Sequence, residues 1–228
     1  MKVSIMIPYR EGGCEWRKKA LPHVVDAYRR VLPDVPIEQV DDLPAERFSR
    51  ARARNMAVEK AGDGIVVLAD ADILPCGRAL LAAVKAARRG GMHLPYDYYR
   101  SLNRASTLKF YANTNLDPVS LPMDYDSYTS TAGIIVIRCD EWHRAGGMDE
   151  RIRGWGWEDT AFACAARVML GEVTRHKGTI NHLWHPFAGE IGSEEYKRNK
   201  SFYDMCAAVK TKRGMRGVID NADRRVRP

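Results

Sequence analysis

The sequence predicts an α/β fold in which a mostly parallel central sheet is flanked by helices. Short β-branched runs alternate with segments of helical periodicity through the first part of the chain. The run from Ile65 to Ala69 is continuously apolar, as is typical of a strand that is buried on both faces. Of the 228 residues, 45% are hydrophobic and 29% are charged, which is the composition of an ordinary globular domain.

The first part of the chain predicts four strands separated by helices. Strands are expected where β-branched and apolar residues run together, at residues 3–7, 37–40, 65–69 and 92–94. Helices are expected where apolar residues recur at helical spacing or alanine dominates, at residues 15–32, 45–61 and 79–88. A helix-breaking residue follows each helix, namely Pro33, Gly62 and Gly90. This alternation is typical of parallel strands joined by helical crossovers.

The second part of the chain is less regular. Residues 96–130 are rich in Tyr, Asn, Asp and Ser and have no clear period, so we expect a long functional loop with at most one short helix. Strands are expected at residues 132–137 and within 173–184, and helices at residues 140–145, 157–170 and 193–212. Without a repeat or a low-complexity linker, we expect one domain over residues 1–196, followed by a helix end and a basic tail over residues 197–228.

The net charge of +7 lies in the C-terminal segment. Residues 197–228 contain ten Lys and Arg residues against three Asp residues, whereas the preceding residues carry equal numbers of acidic and basic side chains. Such a segment can contact a polyanion, either nucleic acid or an anionic membrane surface. The alternative is a solvated tail that keeps the protein in solution.

The cysteine pattern and the hydropathy exclude several classes of protein. The five cysteines form no C-x-x-C pair, which disfavours a disulfide framework or a zinc knuckle and favours a reducing compartment. No apolar run approaches the ~18 residues that span a membrane. Because Met1 and Lys2 lead directly into strand-like residues without a secretory signal, we expect a cytoplasmic protein with no transmembrane segment.

The strongest local feature is Asp70-Ala71-Asp72, which comes directly after the buried apolar run. Ligands of open α/β sheets bind at the carboxyl ends of the strands. Two carboxylates at this spacing can reach one Mn²⁺ or Mg²⁺ ion, and such ions take up substrate phosphates. The alternative is a pair of loop aspartates that cap the following helix.

A second cluster is the segment Arg-Gly-Trp-Gly-Trp-Glu-Asp at residues 153–159. Its glycines let the backbone approach a ligand, and its tryptophans offer flat apolar faces for a sugar ring. Glu158 and Asp159 lie at the expected start of a helix, where they can supply a hydrogen-bond acceptor and a general base. The helix N-terminus is expected to keep Asp159 ionised. The alternative is a tryptophan-filled corner of the core with acidic residues that only complement the helix dipole.

Two further groups of residues can bind ligands. His182 and His185 follow an expected strand, and an Asp-x-Asp motif in the same chain makes them candidate metal ligands. The alternative for each is an ordinary core or surface histidine. Arg50 and Arg54 share one face of an expected helix, where arginines can bind phosphate through two parallel hydrogen bonds. The alternative for these arginines is a basic helix face that points to solvent.

In their order along the chain, the motifs resemble those of the β-1,4-galactosyltransferase family, whose nucleotide-sugar transferases have the GT-A fold. The family's Pro-Phe-Arg, Phe-Asn-Arg-Ala and Asp-Val-Asp-Leu-Ile-Pro are similar to Pro8-Tyr9-Arg10, Phe48-Ser49-Arg50-Ala51 and Asp70-Ala71-Asp72-Ile73-Leu74-Pro75. Its Trp-Gly-Gly-Glu-Asp is similar to Trp155-Gly156-Trp157-Glu158-Asp159. The resemblance covers residues 3–186 and implies a GT-A catalytic domain. Since no counterpart of the animal enzymes' membrane anchor is present, a bacterial or phage-type soluble member is expected.

The resemblance implies a UDP-sugar donor and a Mn²⁺ (or Mg²⁺) cofactor. Asp72 and a histidine would hold the metal, while Asp70 would lie near the donor ribose and sugar. The family's Met-x-x-His matches residues 179–182, which favours His182 over His185 as the ligand, with Thr179 in the place of the methionine. The uridine diphosphate would be held by residues of the first two motifs, namely Pro8, Tyr9, Arg10, Phe48 and Arg50.

On the acceptor side, the resemblance implies that Trp155 stacks at the sugar site and that Glu158 holds the acceptor hydroxyl. Asp159 would remove the proton of that hydroxyl, in a single displacement that inverts the anomeric carbon. The acceptor stays open between a saccharide, a protein side chain and a hydroxymethylated DNA base. A DNA base would have to be flipped out of the duplex, with the basic tail on the phosphates.

Two other classes of protein remain as alternatives. A metal-dependent nucleotidyltransferase also uses aspartates at strand ends, but it does not require the Trp-Gly-x-Glu-Asp segment. A non-enzymatic nucleic-acid-binding protein on a degenerate transferase scaffold is disfavoured by the intact set of Asp70, Asp72, Asp159 and His182. The sequence leaves the donor sugar, the acceptor and the oligomeric state open.

Overall fold

The computed structural model describes residues 1–11, 14–43, 47–187 and 189–226, and it confirms the α/β fold. The strands within the described residues are β1 Val3–Pro8, β2 Ile37–Val40, β3 Ile65–Ala69, β4 Ile73–Leu74, β5 His93–Leu94, β6 Tyr98–Leu102, β7 Met123–Ser127, β8 Ile134–Arg138, β9 Thr174–Arg175 and β10 Thr179–His182. The α-helices there are α1 Glu15–Val31, α2 Arg50–Ala61, α3 Gly77–Ala87, α4 Arg104–Ala112, α5 Cys139–Arg144, α6 Glu158–Leu170, α7 Glu194–Ala208 and α8 Lys212–Val226. None of these helices combines the length and the apolarity that crossing a membrane requires.

The main sheet has six strands in the order β2-β1-β3-β8-β5-β9. β2, β1 and β3 are parallel, as the alternation of strands and helices predicts, and every residue of β3 is buried. β8 runs antiparallel to both of its neighbours, β3 and β5. The sheet is therefore mixed rather than wholly parallel.

A second sheet of four strands, in the order β4-β10-β6-β7, lies beside the first. Residues 96–130 contain one short helix, α4, as the sequence predicts, but the expectation of a loop around it is wrong, since β6 and β7 also lie there. β7 is an edge strand in which four of the five residues are exposed, so no apolar alternation marks it in the sequence. The pairing places His182 opposite Ile73 on one side and Ser101 on the other. This sheet therefore carries a candidate metal ligand.

Helix α2 begins later than the sequence predicts. The predicted start, residue 45, lies outside the described residues, and the helix begins at Arg50. Ser49 sets this start, because its side-chain oxygen accepts a hydrogen bond from the Arg52 N–H at 3.3 Å. The start determines which side chains of α2 face the site, and Arg50 and Arg54 share that face.

The residues predicted as a helix end and a basic tail form two helices, α7 and α8. α8 packs against α6 and α7, with Met215 fully buried and with Val218 and Ile219 partly buried against the core. Arg213 and Arg216 are exposed. These two basic side chains therefore lie on the outer face of a packed helix.

Candidate active site

The candidate active site lies where β3 ends, as the Asp-x-Asp motif predicts. The turn after β3 is held by the Asp70 N–H, which donates to the carbonyl oxygen of Gly133 at 2.9 Å. The Leu183 N–H donates to the carbonyl oxygen of Asp72 at 2.8 Å, which ties the end of β10 to this turn. The two segments are far apart in the sequence, and this backbone contact brings His182 next to Asp72.

Three side chains converge into a candidate metal site. The ligand atoms of Asp72, His182 and His185 all lie within 4.8 Å of one another. The two Nε2 atoms of the histidines are 3.1 Å apart, and Asp72 lies 3.3 Å from His185 Nε2 and 3.7 Å from His182 Nε2. A carboxylate with two imidazoles is a donor set that suits Mn²⁺. The residues therefore fit the predicted ion, and both candidate histidines lie at the site.

The Nδ1 atom of each imidazole, which faces away from the other ligands, also has a hydrogen-bond partner. His182 Nδ1 lies 3.1 Å from the Ser101 hydroxyl, and His185 Nδ1 lies 2.8 Å from the carbonyl oxygen of Pro186. These partners can accept the Nδ1 protons, which leaves both Nε2 lone pairs for a cation. Burial lowers the pKa of His185, which favours the neutral form that binds metals. Burial alone would raise the pKa of Asp72, but the neighbouring His182 and Arg17 lower it to about 2, so the carboxylate is ionised.

Arg17 is a residue of this site that the sequence analysis missed. Its Nε atom donates to Asp72 Oδ2 at 2.8 Å, and its Nη2 atom lies 2.9 Å from His185 Nε2. Nothing in the local sequence distinguishes Arg17 from the other basic residues of α1. Only the packing of α1 against the turn around β4 brings it to the metal ligands.

A second cluster joins the Asp-x-Asp motif to the start of α6. The guanidinium of Arg54, a side chain that is only 3% exposed, lies 2.6 Å from Asp70 Oδ1 and 2.9 Å from Asp159 Oδ1. The Nε atom of Arg50 donates to Glu158 Oε1 at 2.8 Å. The two arginines share one helix face, as their spacing predicts, and they neutralise the acidic residues of the site.

The surroundings of Asp159 oppose the ionisation that the sequence predicts. Burial raises its pKa to about 7, because it outweighs the attraction of Arg54, and the nearby Glu158 raises the pKa further. Burial therefore opposes the helix N-terminus, which was expected to keep Asp159 ionised. Its Oδ1 atom is buried without a hydrogen bond, since the ion pair with Arg54 lacks hydrogen-bond geometry. A carboxylate of this kind is poised to accept a proton.

The residues expected to hold the uridine diphosphate lie in two places. Pro8 ends β1, and the Tyr9 N–H donates to the Val40 carbonyl oxygen at 2.9 Å. Arg10 lies 5.6 Å from the centroid of the Phe48 ring, so these residues share the carboxyl ends of β1 and β2. The side chain of Arg50 pairs instead with Glu158 at the start of α6.

The arginines of these motifs are paired with protein groups. Arg10 donates to Asp41 at 2.8 Å and to Asp42 at 2.7 Å, and Arg50 also donates to the Gly154 carbonyl oxygen at 3.1 Å. Both side chains therefore help to hold loops of the site in place. Binding of phosphate by either one remains a prediction.

Aromatic rings line the segment before α6. Trp155 is half-buried, stacked on Tyr196 at 5.7 Å between ring centroids and packed edge-on against Phe187 at 4.7 Å. Trp157 adopts a left-handed backbone with φ of 78°, at a position where the resembled motif has glycine. Stacking on Tyr203 at 4.9 Å holds Trp157 in this strained conformation. The aromatic cluster thus determines where the acidic pair begins α6.

Known proteins resemble this chain in sequence. A family model described as the N-terminal domain of galactosyltransferase matches residues 109–187. The β-1,4-galactosyltransferase 7 of Drosophila melanogaster is 26% identical over 176 residues, which are 76% of this chain and 47% of the relative. The chain therefore spans about half the length of the curated relative that it matches.

Solved structures share the fold. A Drosophila β-1,4-galactosyltransferase 7 variant in complex with manganese, UDP-Gal and xylobiose has a TM-score of 0.56 and 20% identity, over 87% of this chain and 79% of that one. Glucosyl-3-phosphoglycerate synthase from Mycobacterium tuberculosis, solved with Mn²⁺ and UDP, has a TM-score of 0.51 and 11% identity, over 91% of this chain and 80% of that one. The S. aureus protein TarS has a TM-score of 0.57 and 9% identity, over 99% of this chain and 72% of that one. At these identities the likeness shows the fold, which is the GT-A fold that the motifs imply.

Proposed function

We propose that this chain, which has the GT-A fold and resembles the galactosyltransferases in sequence, is a metal-dependent glycosyltransferase. It would move a sugar from a UDP-sugar to an acceptor hydroxyl and invert the anomeric carbon. The observation that carries the proposal is that a candidate metal triad lies beside a buried carboxylate pair. Asp70 joins the two, because it belongs to the Asp-x-Asp motif and also binds Arg54, which holds Asp159.

The donor side of the reaction belongs to the metal triad. Asp72, His182 and His185 would hold Mn²⁺ (or Mg²⁺), an ion that appears in the solved complexes of two structural neighbours. Bound there, the ion would neutralise the charge that builds up on the departing diphosphate. The residues at the ends of β1 and β2 would bind the uridine diphosphate, and Trp155 would stack at the sugar site.

The acceptor side belongs to the start of α6. Glu158, held by Arg50, would accept a hydrogen bond from the acceptor hydroxyl. Asp159 would take the proton of that hydroxyl as its oxygen attacks the anomeric carbon. The attack and the departure of the diphosphate occur on opposite faces of the sugar, so one displacement inverts the anomer.

The proposal is tested by incubating the purified protein with several UDP-sugars in the presence of Mn²⁺ and measuring released UDP. We expect UDP release that depends on Mn²⁺ and that one UDP-sugar supports better than the others. EDTA should stop it, and added Mn²⁺ should restore it. Release of pyrophosphate from a nucleoside triphosphate, with no release from any UDP-sugar, would instead indicate a nucleotidyltransferase.

We propose a glycan as the acceptor, since the similar Drosophila structure contains xylobiose. DNA as the acceptor was an alternative that followed mainly from the charge of the C-terminal segment, and it stays an alternative. A screen of mono- and disaccharides beside hydroxymethylated DNA, with product masses measured, decides between them. A mass gain of one hexose on DNA and on no saccharide would contradict the glycan proposal.

We expect the kcat/KM of transfer to rise with pH and to level off above about pH 7. Asp159 accepts a proton only when it is ionised, and burial raises its pKa to about 7. Below that pH the rate should therefore fall about tenfold for each pH unit. A pH–rate profile at saturating Mn²⁺ checks this, with Mn²⁺ binding measured at each pH as the control. A profile that is flat from about pH 5 to 8 would contradict the raised pKa.

We expect His182→Ala to weaken Mn²⁺ binding more than His185→Ala does. His182 Nε2 faces Asp72 Oδ1, the oxygen that Arg17 does not bind, and Ser101 holds the far side of its ring. His185 Nε2, by contrast, already contacts Arg17. Titration of each variant with Mn²⁺ gives the ranking, and thermal unfolding shows whether each variant is folded. The opposite ranking would make His185 the main imidazole ligand.

A further inference from the structure

Arg17 contacts the same atoms that a metal ion would need. Its two donors meet Asp72 Oδ2 at 2.8 Å and His185 Nε2 at 2.9 Å. His185 Nδ1 is directed to the Pro186 carbonyl oxygen at 2.8 Å, so it carries the ring proton and Nε2 carries one lone pair. Arg17 therefore uses the single lone pair through which His185 can bind a cation.

A divalent cation and the Arg17 guanidinium compete for this lone pair. An imidazole nitrogen cannot accept a hydrogen bond and coordinate a metal with the same electrons. Asp72 Oδ2 is shared between the two in the same way, although a carboxylate oxygen has a second lone pair. A cation that takes all three members of the triad must therefore displace the guanidinium from His185.

Once a cation has displaced it, the Arg17 guanidinium needs another negatively charged partner. The other arginines near the described site are paired with protein groups: Arg10 with Asp41 and Asp42, Arg50 with Glu158, and Arg54 with Asp70 and Asp159. The proposed donor brings a diphosphate to the metal, and once the sugar leaves, the departing UDP carries more negative charge than one divalent cation neutralises. A guanidinium binds phosphate oxygens through two parallel hydrogen bonds.

We propose that Arg17 exchanges partners, leaving Asp72 and His185 when a divalent cation binds them and then binding the diphosphate of the donor. The inference rests on the proposed function and adds a donor-binding residue to it. Arg17 is a partner first of the metal ligands and then of the bound nucleotide, so it couples metal binding to donor binding.

Binding measurements test the exchange without any turnover. Calorimetry would give the affinity for Mn²⁺ alone, for Mn²⁺ in saturating UDP, and for UDP in saturating Mn²⁺. The proteins are the wild type, Arg17→Met, Arg17→Lys and the control Lys18→Met. Lys18 is the next residue of α1, and its side chain is 54% exposed and pairs with Glu11 at 3.5 Å. Thermal unfolding of each variant accompanies the titrations.

The exchange predicts changes of opposite sign. Arg17→Met should bind Mn²⁺ alone about tenfold or more tightly, because the guanidinium that competes with Mn²⁺ for Asp72 and His185 is gone. The same variant should bind UDP in saturating Mn²⁺ about tenfold or more weakly. The factor by which UDP tightens Mn²⁺ binding should fall accordingly. Arg17→Lys keeps the positive charge but cannot form the two parallel hydrogen bonds of a guanidinium, so UDP should tighten its Mn²⁺ binding by a smaller factor than in the wild type. Lys18→Met should leave this factor unchanged.

The coupling factor separates the exchange from a simple effect of charge. A positive charge that stays in one place weakens Mn²⁺ binding equally with and without UDP, so its removal leaves the factor unchanged. An unchanged factor in Arg17→Met would therefore overturn the exchange, and so would weaker binding of Mn²⁺ alone. Failure of the wild type to bind either Mn²⁺ or UDP would instead overturn the proposed function itself.

Discussion

Replacing Asp159 with asparagine is expected to reduce sugar transfer by roughly 10²–10⁴-fold, the usual loss when a general base is removed. Binding of Mn²⁺ and UDP should stay close to that of the wild type, because Asp159 lies on α6 and the metal triad lies on the β3 turn and after β10. Asparagine has nearly the same shape as aspartate, so the packing around the start of α6 should survive. It cannot accept the proton of the acceptor hydroxyl. Single-turnover transfer, with UDP affinity measured in parallel, gives the result.

Thermal stability distinguishes this role from a purely structural one. The folded pKa of Asp159 is raised to about 7, so the folded state holds its proton where the unfolded chain has lost it. The stability contributed by this carboxyl is therefore present below about pH 4 and is lost as the pH rises from about 4 to 7. Asp159→Asn should melt no lower than the wild type at pH 8. A variant that melts much lower, yet transfers sugar normally per folded molecule, would show that Asp159 is only a helix-start acid.

Replacing Asp72 with alanine is expected to abolish Mn²⁺-dependent binding of UDP. Asp72 is the carboxylate of the metal triad, and its side chain is only 6% exposed. A neutral water molecule in its place would not replace the negative charge that the variant loses. Without it, the two histidines offer neutral ligands and Arg17 adds a positive charge beside them. Calorimetry with UDP and Mn²⁺ measures the loss, and UDP titrated without metal gives the baseline.

A matched control shows whether the loss is specific to the metal triad. Asp140 is an aspartate on α5 whose side chain is 58% exposed and pairs with Arg138 on the surface. Asp140→Ala removes the same chemical group and should leave UDP binding unchanged. If Asp72→Ala bound UDP with Mn²⁺ as tightly as the wild type does, the assignment of the metal site to Asp72 would be wrong.

Part of this site can be predicted from local sequence because its chemistry depends on neighbours along the chain. A strand that is apolar throughout ends at Ala69, and the two aspartates after it must lie at a sheet edge. Glu158 and Asp159 stand at a helix start because the segment before them is rich in glycine and α6 follows directly. The motifs in their order also imply the GT-A fold.

Except for β10, the second sheet escaped prediction for a physical reason. An edge strand such as β7 needs no apolar face, since one side of its backbone has no partner and most of its side chains meet water. Its pairing with β6 spans a long stretch of chain, and that pairing rather than a local pattern makes it a strand. A loop was expected over residues 96–130 because their sequence shows no alternation of apolar and polar residues.

The sequence by itself determined the strands of the main sheet, the acidic motifs and the two histidines as candidates, because each is written in a short run of residues. Only the tertiary structure decided that Arg17 reaches Asp72 and that Arg54 joins Asp70 to Asp159. The same holds for the raised pKa of Asp159, which comes from burial at the start of α6. Burial and ion pairs between distant segments are set by how helices pack on the sheets, and no local pattern records that packing.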